Sequence, residues 1–259
     1  MLGKLHTFAW FIRRPLFWPH MWALIGRKFD GSQRHDDMAA AAEAWAAPLA
    51  VSIEHALREV GVQFDATDLP AGIPKDLLKA GEERAAQSDV RMGGPGDLDL
   101  IFRAILVIKA KRVIETGVAY GWSSLAALAA LERTGGDLVS VDMPYPKAAN
   151  EPFVGIVVPR ELRSRWTLVR EPDRNGIVHA LEKFGGVVDL VHYDSDKSYA
   201  GRAWAFPLLW RALAPGGLFI SDDIQDNFGF RDFAISLNLP FAVTRSDGKF
   251  VGLIRKPLP

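Results

Sequence analysis

The chain has 259 residues, 49% hydrophobic and 24% charged, which excludes a disordered or collagen-like polymer and leaves room for one α/β domain with an extension. Thirty-one Lys and Arg balance 31 Asp and Glu, so no global field selects nucleic acid as a partner, and the expected ligand is small. Cysteine is absent, which excludes disulfides and thiolate metal sites and fits a reducing, cytoplasmic location.

Residues 1–28, MLGKLHTFAWFIRRPLFWPHMWALIGRK, carry five Lys/Arg and no acid, with Phe8, Trp10, Phe11, Phe17, Trp18 and Trp22 interleaved. Arg13, Arg14, Pro15 and Pro19 break the run well short of the ~20 apolar residues that cross a bilayer. No long apolar stretch with a small-residue cleavage site marks a secretory leader. Two expectations stay open. One is a strap packed on the domain or on a second subunit of a homodimer; the other is a peripheral anchor on an anionic membrane. The strap is the default.

From Asp36, DDMAAAAEAWAAPLAVSIEHALREVGV predicts an alanine-rich helix that opens on a capping acid and continues past Pro48. PKDLLKAGEERAAQ predicts another helix, RMGGPGD a loop, and LDLIFRAILVIKA a helix leading into the first strand. Residues 1–90 are thus expected to be an aromatic/basic segment with a helical extension, and 91–259 the ligand-binding domain. After residue 110 the strand-like runs RVIET, DLVSVD, WTLVR, VVDLVHY and GLFISD alternate with helical patterns, which predicts a parallel sheet with helices on both faces. PFAVTRS, a DG turn and FVGLIRK predict a hairpin whose last strand runs antiparallel. Ligands of such sheets bind beyond the carboxyl ends of the strands.

The first strand runs into ETGVAYGWSS, placing Glu115, Gly117, Ala119, Gly121 and Ser123 in a strand-to-helix turn. Glycine admits a close ligand and the helix start offers free N–H groups. The pattern E-x-G-x-x-x-G differs from the G-x-G-x-x-G of a pyrophosphate site; an acid there suits a cationic ligand. Asp142, ending the second strand, can accept hydrogen bonds from a ribose diol. On these residues the chain resembles the class I S-adenosylmethionine-dependent methyltransferases over roughly residues 90 to 256. The resemblance implies a Rossmann-like sheet of seven strands, the last one antiparallel. It also implies S-adenosylmethionine as cofactor, with Asp142 on its ribose. It further places Asp173 and Arg174 near the adenine, and Met92 and Gly93 in a segment closing over the methionine end.

VHYDSDKSY and GGLFISDDIQDN bring Asp194, Asp196, Asp222 and Asp223 to one sheet edge, where like charges repel unless a cation intervenes. Oxygen ligands without cysteine suit Mg²⁺. D-x-x-K at Asp194 to Lys197 followed by the pair Asp222 and Asp223 is similar to the metal-dependent O-methyltransferases of the catechol type, and the acid-rich strand ends to the macrocin type. The resemblance implies that Asp194, Asp222 and Asp223 hold the metal and that Lys197 is the base. Two departures stand out: Asp223 replaces an asparagine, and Ser195 and Asp196 stand where an aromatic contact would be. His192 is expected to be a satisfied core histidine. Residues 143–159 are expected to form a lid or binding loop, with Tyr145 and Phe153 near a hydroxylated small-molecule acceptor.

Overall fold

Five runs of β-branched and aliphatic residues assemble as the parallel part of one sheet: β1 (Arg112–Thr116), β2 (Asp137–Val141), β3 (Trp166–Val169), β4 (Val188–Tyr193) and β5 (Leu213–Ser221). The computed structural model describes residues 7, 9–27, 38–65, 67, 69–144 and 150–259. β6 (Phe241–Ser246) and β7 (Lys249–Arg255) close the sheet in the order β3-β2-β1-β4-β5-β7-β6. Asp247 and Gly248, at φ 47° and 82°, make the tight turn between them. β7 therefore runs antiparallel to both β5 and β6, as the sequence predicts.

α1 (Trp18–Gly26), α2 (Ala39–Ala46), α3 (Ile53–Glu59), α4 (Lys75–Ala85) and α5 (Leu98–Val107) precede the sheet. α6 (Trp122–Thr134), α7 (Asp173–Lys183), α8 (Tyr199–Ala212) and α9 (Gly229–Leu237) follow β1, β3, β4 and β5. Strand alternation sends neighbouring side chains to opposite faces. Val113 joins Leu100, Phe102 and Leu128 of α5 and α6, whereas Ile114 joins Ile177, Phe206 and Phe230 of α7, α8 and α9. Both faces are thus buried, which is why the parallel strands read as nearly continuous apolar runs. The chain lays β2 and β3 on one side of β1 and returns to place β4 on the other. The strand order reverses between β1 and β4, where open sheets leave a crevice for ligands.

Two expectations need correction. The helix drawn through Pro48 ends at Ala46, passes through a 3₁₀ turn and an extended Ala50, and restarts as α3. Proline supplies no N–H to continue the ladder, and Ser52 Oγ accepts from His55 N at 3.2 Å as the cap of a new helix. The second half of 143–159 is core rather than lid. Val157 and Val158 are fully buried, and Gly155 N and Val157 N donate to the carbonyls of Ala119 and Tyr120. Asp36, Phe8 and Tyr145 lie outside the described residues.

Candidate active site

The ends of β1 and β4 approach so closely that a Cβ on Gly117 would lie 2.4 Å from the Asp194 carbonyl. Gly117 also adopts φ 83°, a conformation that favours glycine, so the turn has two independent reasons for this residue. The crevice above it, about 150 Å³, is lined by Gly93, Gly117, Ala119, Ser123, Asp142, Asp194 and Lys197 among others. Glu115 stands apart from them. It is 1% exposed, and its Oε2 accepts from Ser124 Oγ at 2.5 Å and Ser140 Oγ at 2.6 Å. Its carboxylate faces the interior of the sheet layer and does not line the crevice. Met92 does not line it either, and takes a 3.5 Å contact on its sulfur from Asn150 Nδ2.

Asp142, directly after β2, accepts from Val118 N at 3.0 Å and pairs with Arg170. Burial raises its pKa, partly offset by these two donors. A ligand diol would share these oxygens with Arg170. Asp142, Gly117 and Ser195 also line a second cavity of about 190 Å³, with Met143, Asp173 and Asp196. Its remaining wall is His20, Leu24 and Arg27, so α1 and the residue after it close the side of this crevice. Arg27 pairs with Asp196 across 169 residues of sequence. Asp173 is held by Ser195 Oγ at 2.6 Å, and burial lifts its pKa to about 6. Arg174 lies instead over the ring of Trp204 at 4.4 Å.

Three of the four acids expected at this edge converge: Asp194, Asp222 and Asp223 bring one carboxylate oxygen each to within 4.8 Å of one another. Asp196 does not join them, being spent on Arg27 and Ser198. The turn after β5 is fixed by Arg202 of α8. Fully buried, it donates to the carbonyls of Asp222 at 3.2 Å and Asp223 at 2.7 Å, and to Asn227 Oδ1 at 3.2 Å. Asp223 adopts φ 50°, unusual outside glycine, so this turn holds its acid in a constrained backbone.

Burial, with the charges of Asp194 and Asp223, raises the Asp222 pKa to about 6, and its Oδ1 is buried with no hydrogen-bond partner. Asp223 is the opposite case: burial works to raise it, but Lys197 and Lys249 pull it below the usual range. Lys197 Nζ lies 3.0 Å from Asp194 Oδ1 and also bonds Asp223. Burial disfavours its charge, yet the two acids outweigh that and hold the ammonium well above its ordinary pKa. In this state Lys197 is a cation rather than a base.

His192 corrects its expectation. It is buried and lines the crevice, but its Nδ1 lies 3.8 Å from Glu115 Oε1, too far for a hydrogen bond, and both atoms lack partners. Burial lowers its pKa, and Glu115, Asp222 and Asp194 together more than reverse this. Lys249 is the residue the sequence did not flag. Set at the start of β7, its Nζ comes within 3.9 Å of Asp222 and 3.7 Å of Asp223. Only the hairpin's register places it there.

A larger cavity, about 790 Å³, lies at the other end of the sheet beside Arg112, Asp137 and Asp189. Its polar pair, Arg112 and Asp189, is already joined at 2.6 Å, so the smaller crevice at the carboxyl ends is the better site.

Residues 114–224 match a family model described as a methyltransferase domain, a span running from β1 to the acid turn after β5. No curated protein matches the chain. Its fold is similar to that of the SAH-bound methyltransferase PaMTH1 of Podospora anserina, with TM-score 0.52 and 17% identity over 71% of this chain and 89% of that one. It is also similar to a Klebsiella pneumoniae protein described as an O-methyltransferase, with TM-score 0.51 and 15% identity over 82% and 99%. Identity this low establishes the fold and leaves the chemistry to the residues.

Proposed function

We propose that the chain is an S-adenosylmethionine-dependent methyltransferase that methylates a hydroxyl oxygen of a small molecule, assisted by Mg²⁺ at Asp194, Asp222 and Asp223, a reading supported by the methyltransferase-domain match over residues 114–224 and the shared fold. One observation carries this reading: three carboxylates converge within 4.8 Å, and Asp222 keeps a buried oxygen with no partner. Hard oxygen donors of this kind fit a divalent cation. Such a cation would supply Lewis-acid stabilisation of the acceptor hydroxylate. S-adenosylmethionine would supply a methyl group already activated by its sulfonium.

The chain's own residues then bind and align. Asp142, held by the N–H of Val118, offers carboxylate oxygens to a ribose, Asp173 and Met143 flank the nucleoside side, and Gly93 and Ser123 line the adjoining crevice. Alignment of acceptor and donor is the main contribution required of the protein. Lys197 takes the acceptor proton only once Asp194 and Asp223 cease to hold its ammonium, since its pKa is otherwise too high. An adjoining cavity of about 720 Å³ shares Gly96 and Trp122 with the crevice. Val51, Ile53, Ile73 and Leu78 give it an apolar wall, and Glu82 and Arg245 a polar one, which suits an acceptor with an apolar body.

A second reading is favoured by Lys197 and Lys249, whose ammonium groups already offset two of the three acid charges. Transfer would then be metal-independent. Calorimetric titration of metal-stripped protein with S-adenosylmethionine, with and without Mg²⁺, separates the two. Binding that Asp142→Ala weakens by roughly tenfold, about 1.4 kcal/mol, supports the cofactor assignment. A heat of Mg²⁺ binding abolished by Asp222→Ala supports the metal, and activity indifferent to chelator overturns it. No binding of S-adenosylmethionine to folded protein overturns the whole reading.

A further inference from the structure

α1 has two faces that do opposite things. His20, Leu24 and Arg27 close the nucleoside-side cavity, whereas Trp18 and Trp22, one turn apart on the other side, are 43% and 62% exposed. The segment before α1 continues the exposed face: Ile12 and Leu16 are 49% and 51% exposed, and Arg13 and Arg14 are exposed between them. Beneath, Phe11, Phe17 and Met21 form a small core of their own that supports it. Trp18 Nε1 donates to the Phe11 carbonyl at 3.2 Å, which fixes that indole beside the arginine turn.

We propose that this face, residues 12 to 22, docks on the surface of an anionic lipid bilayer, with the active-site crevice carried on the opposite side of the same helix. Charge selects that occupant. Residues 12–22 carry the exposed Arg13 and Arg14 and no acid, so an anionic headgroup layer complements them. A two-fold contact with a second copy would instead place the same basic patch on both sides of one seam. Tryptophan suits the headgroup boundary, where its ring is buried and its N–H stays near water. Proline at 15 and 19 and the short α1 keep the segment on the surface, and among the described residues no helix is long and apolar enough to cross a membrane. Apolar insertion and basic attraction together supply the two signals that stable peripheral binding requires.

The test is co-sedimentation of the full chain with phosphatidylcholine vesicles, with and without a phosphatidylglycerol fraction. The expected result is pelleting with the anionic vesicles that added salt weakens. Arg13→Gln with Arg14→Gln should lower partition roughly thirtyfold, equivalent to about 1 kcal/mol per arginine. Trp18→Ser with Trp22→Ser should lower it on every vesicle, and an unchanged circular-dichroism melting curve would show that these variants remain folded. Failure to pellet with any vesicle at low salt overturns the proposal, as does pelleting that neither variant alters. A dimer in light scattering that Trp22→Ser dissociates, without vesicle binding, assigns the face to self-association instead. None of these outcomes depends on the methyl-transfer reading.

Discussion

The two edges of the parallel sheet use their aspartates differently. At the amino edge Asp189 is spent: its Oδ2 accepts from the N–H groups of Lys111 and Arg112 at 3.0 and 2.9 Å, and its Oδ1 bonds Arg112 at 2.6 Å. Burial pushes its pKa up, yet these donors pull it below the usual range. At the carboxyl edge Asp222 is nine-tenths buried or more, repelled by two neighbouring acids, and left with an unpartnered oxygen. The first carboxylate stabilises the fold; the second costs stability and stays available for a ligand. A larger cavity at the amino edge does not change this, because its Arg112 and Asp189 are already paired with each other.

The largest effect follows from removing the support of the turn after β5. Arg202→Met leaves the carbonyls of Asp222 and Asp223 and the Asn227 side chain without a donor, and should cost about 3 kcal/mol or more in urea unfolding. A cost under about 1 kcal/mol would show that the turn holds itself. Next comes pH. Burial first, then Arg27 and Arg174, lower the His20 pKa from 6.5 to about 4, with Asp196 opposing. The folded state therefore binds fewer protons than the unfolded one in this window. Stability present above pH 6.5 is lost as pH falls towards 4, by roughly 3 kcal/mol in all. Hydrogen exchange of α1 should report this loss first, and His20→Phe should remove the step.

Asp222→Asn sharpens the contrast because its sign is reversed. A folded pKa of about 6 against 3.8 means that stability declines as pH rises from 3.8 to 6. Without divalent cation the variant should thus be more stable at pH 7, on the order of 2 kcal/mol by thermal unfolding, while losing any response to Mg²⁺. Asp189→Ala is the smallest change and has the conventional sign. It should cost roughly 1–3 kcal/mol, since two strand N–H groups lose their acceptor, with S-adenosylmethionine affinity unaltered.

Much of this edge was legible beforehand, because strand ends are local. The apolar runs located β1 to β5, the DG turn located the hairpin, and Asp194, Asp222 and Asp223 each follow or end a strand. Sequence reading failed where partners come from afar. The pattern around Glu115 predicts an acid facing a cationic ligand, but Ser124 and Ser140 of α6 and β2 claim Oε2 of its carboxylate. Strand alternation predicts a satisfied core His192, yet the group facing its Nδ1 lies 3.8 Å away. The helix through Pro48 was a local error, in which apolar spacing outweighed a proline and a capping serine.

By itself, then, the sequence determined the order of elements, the parallel sheet with its antiparallel end, and which residue types reach the ligand edge. Those follow from periodicity and turn chemistry within a few residues. Only the tertiary structure decided which carboxylates are spent and which stay free, that Lys249 joins the acid triad, and that α1 walls the cavity beside Asp142 and Asp173 through His20 and Arg27. The physical reason is that hydrogen bonds and ion pairs act over a few ångströms in space, whereas their partners here lie up to 169 residues apart along the chain.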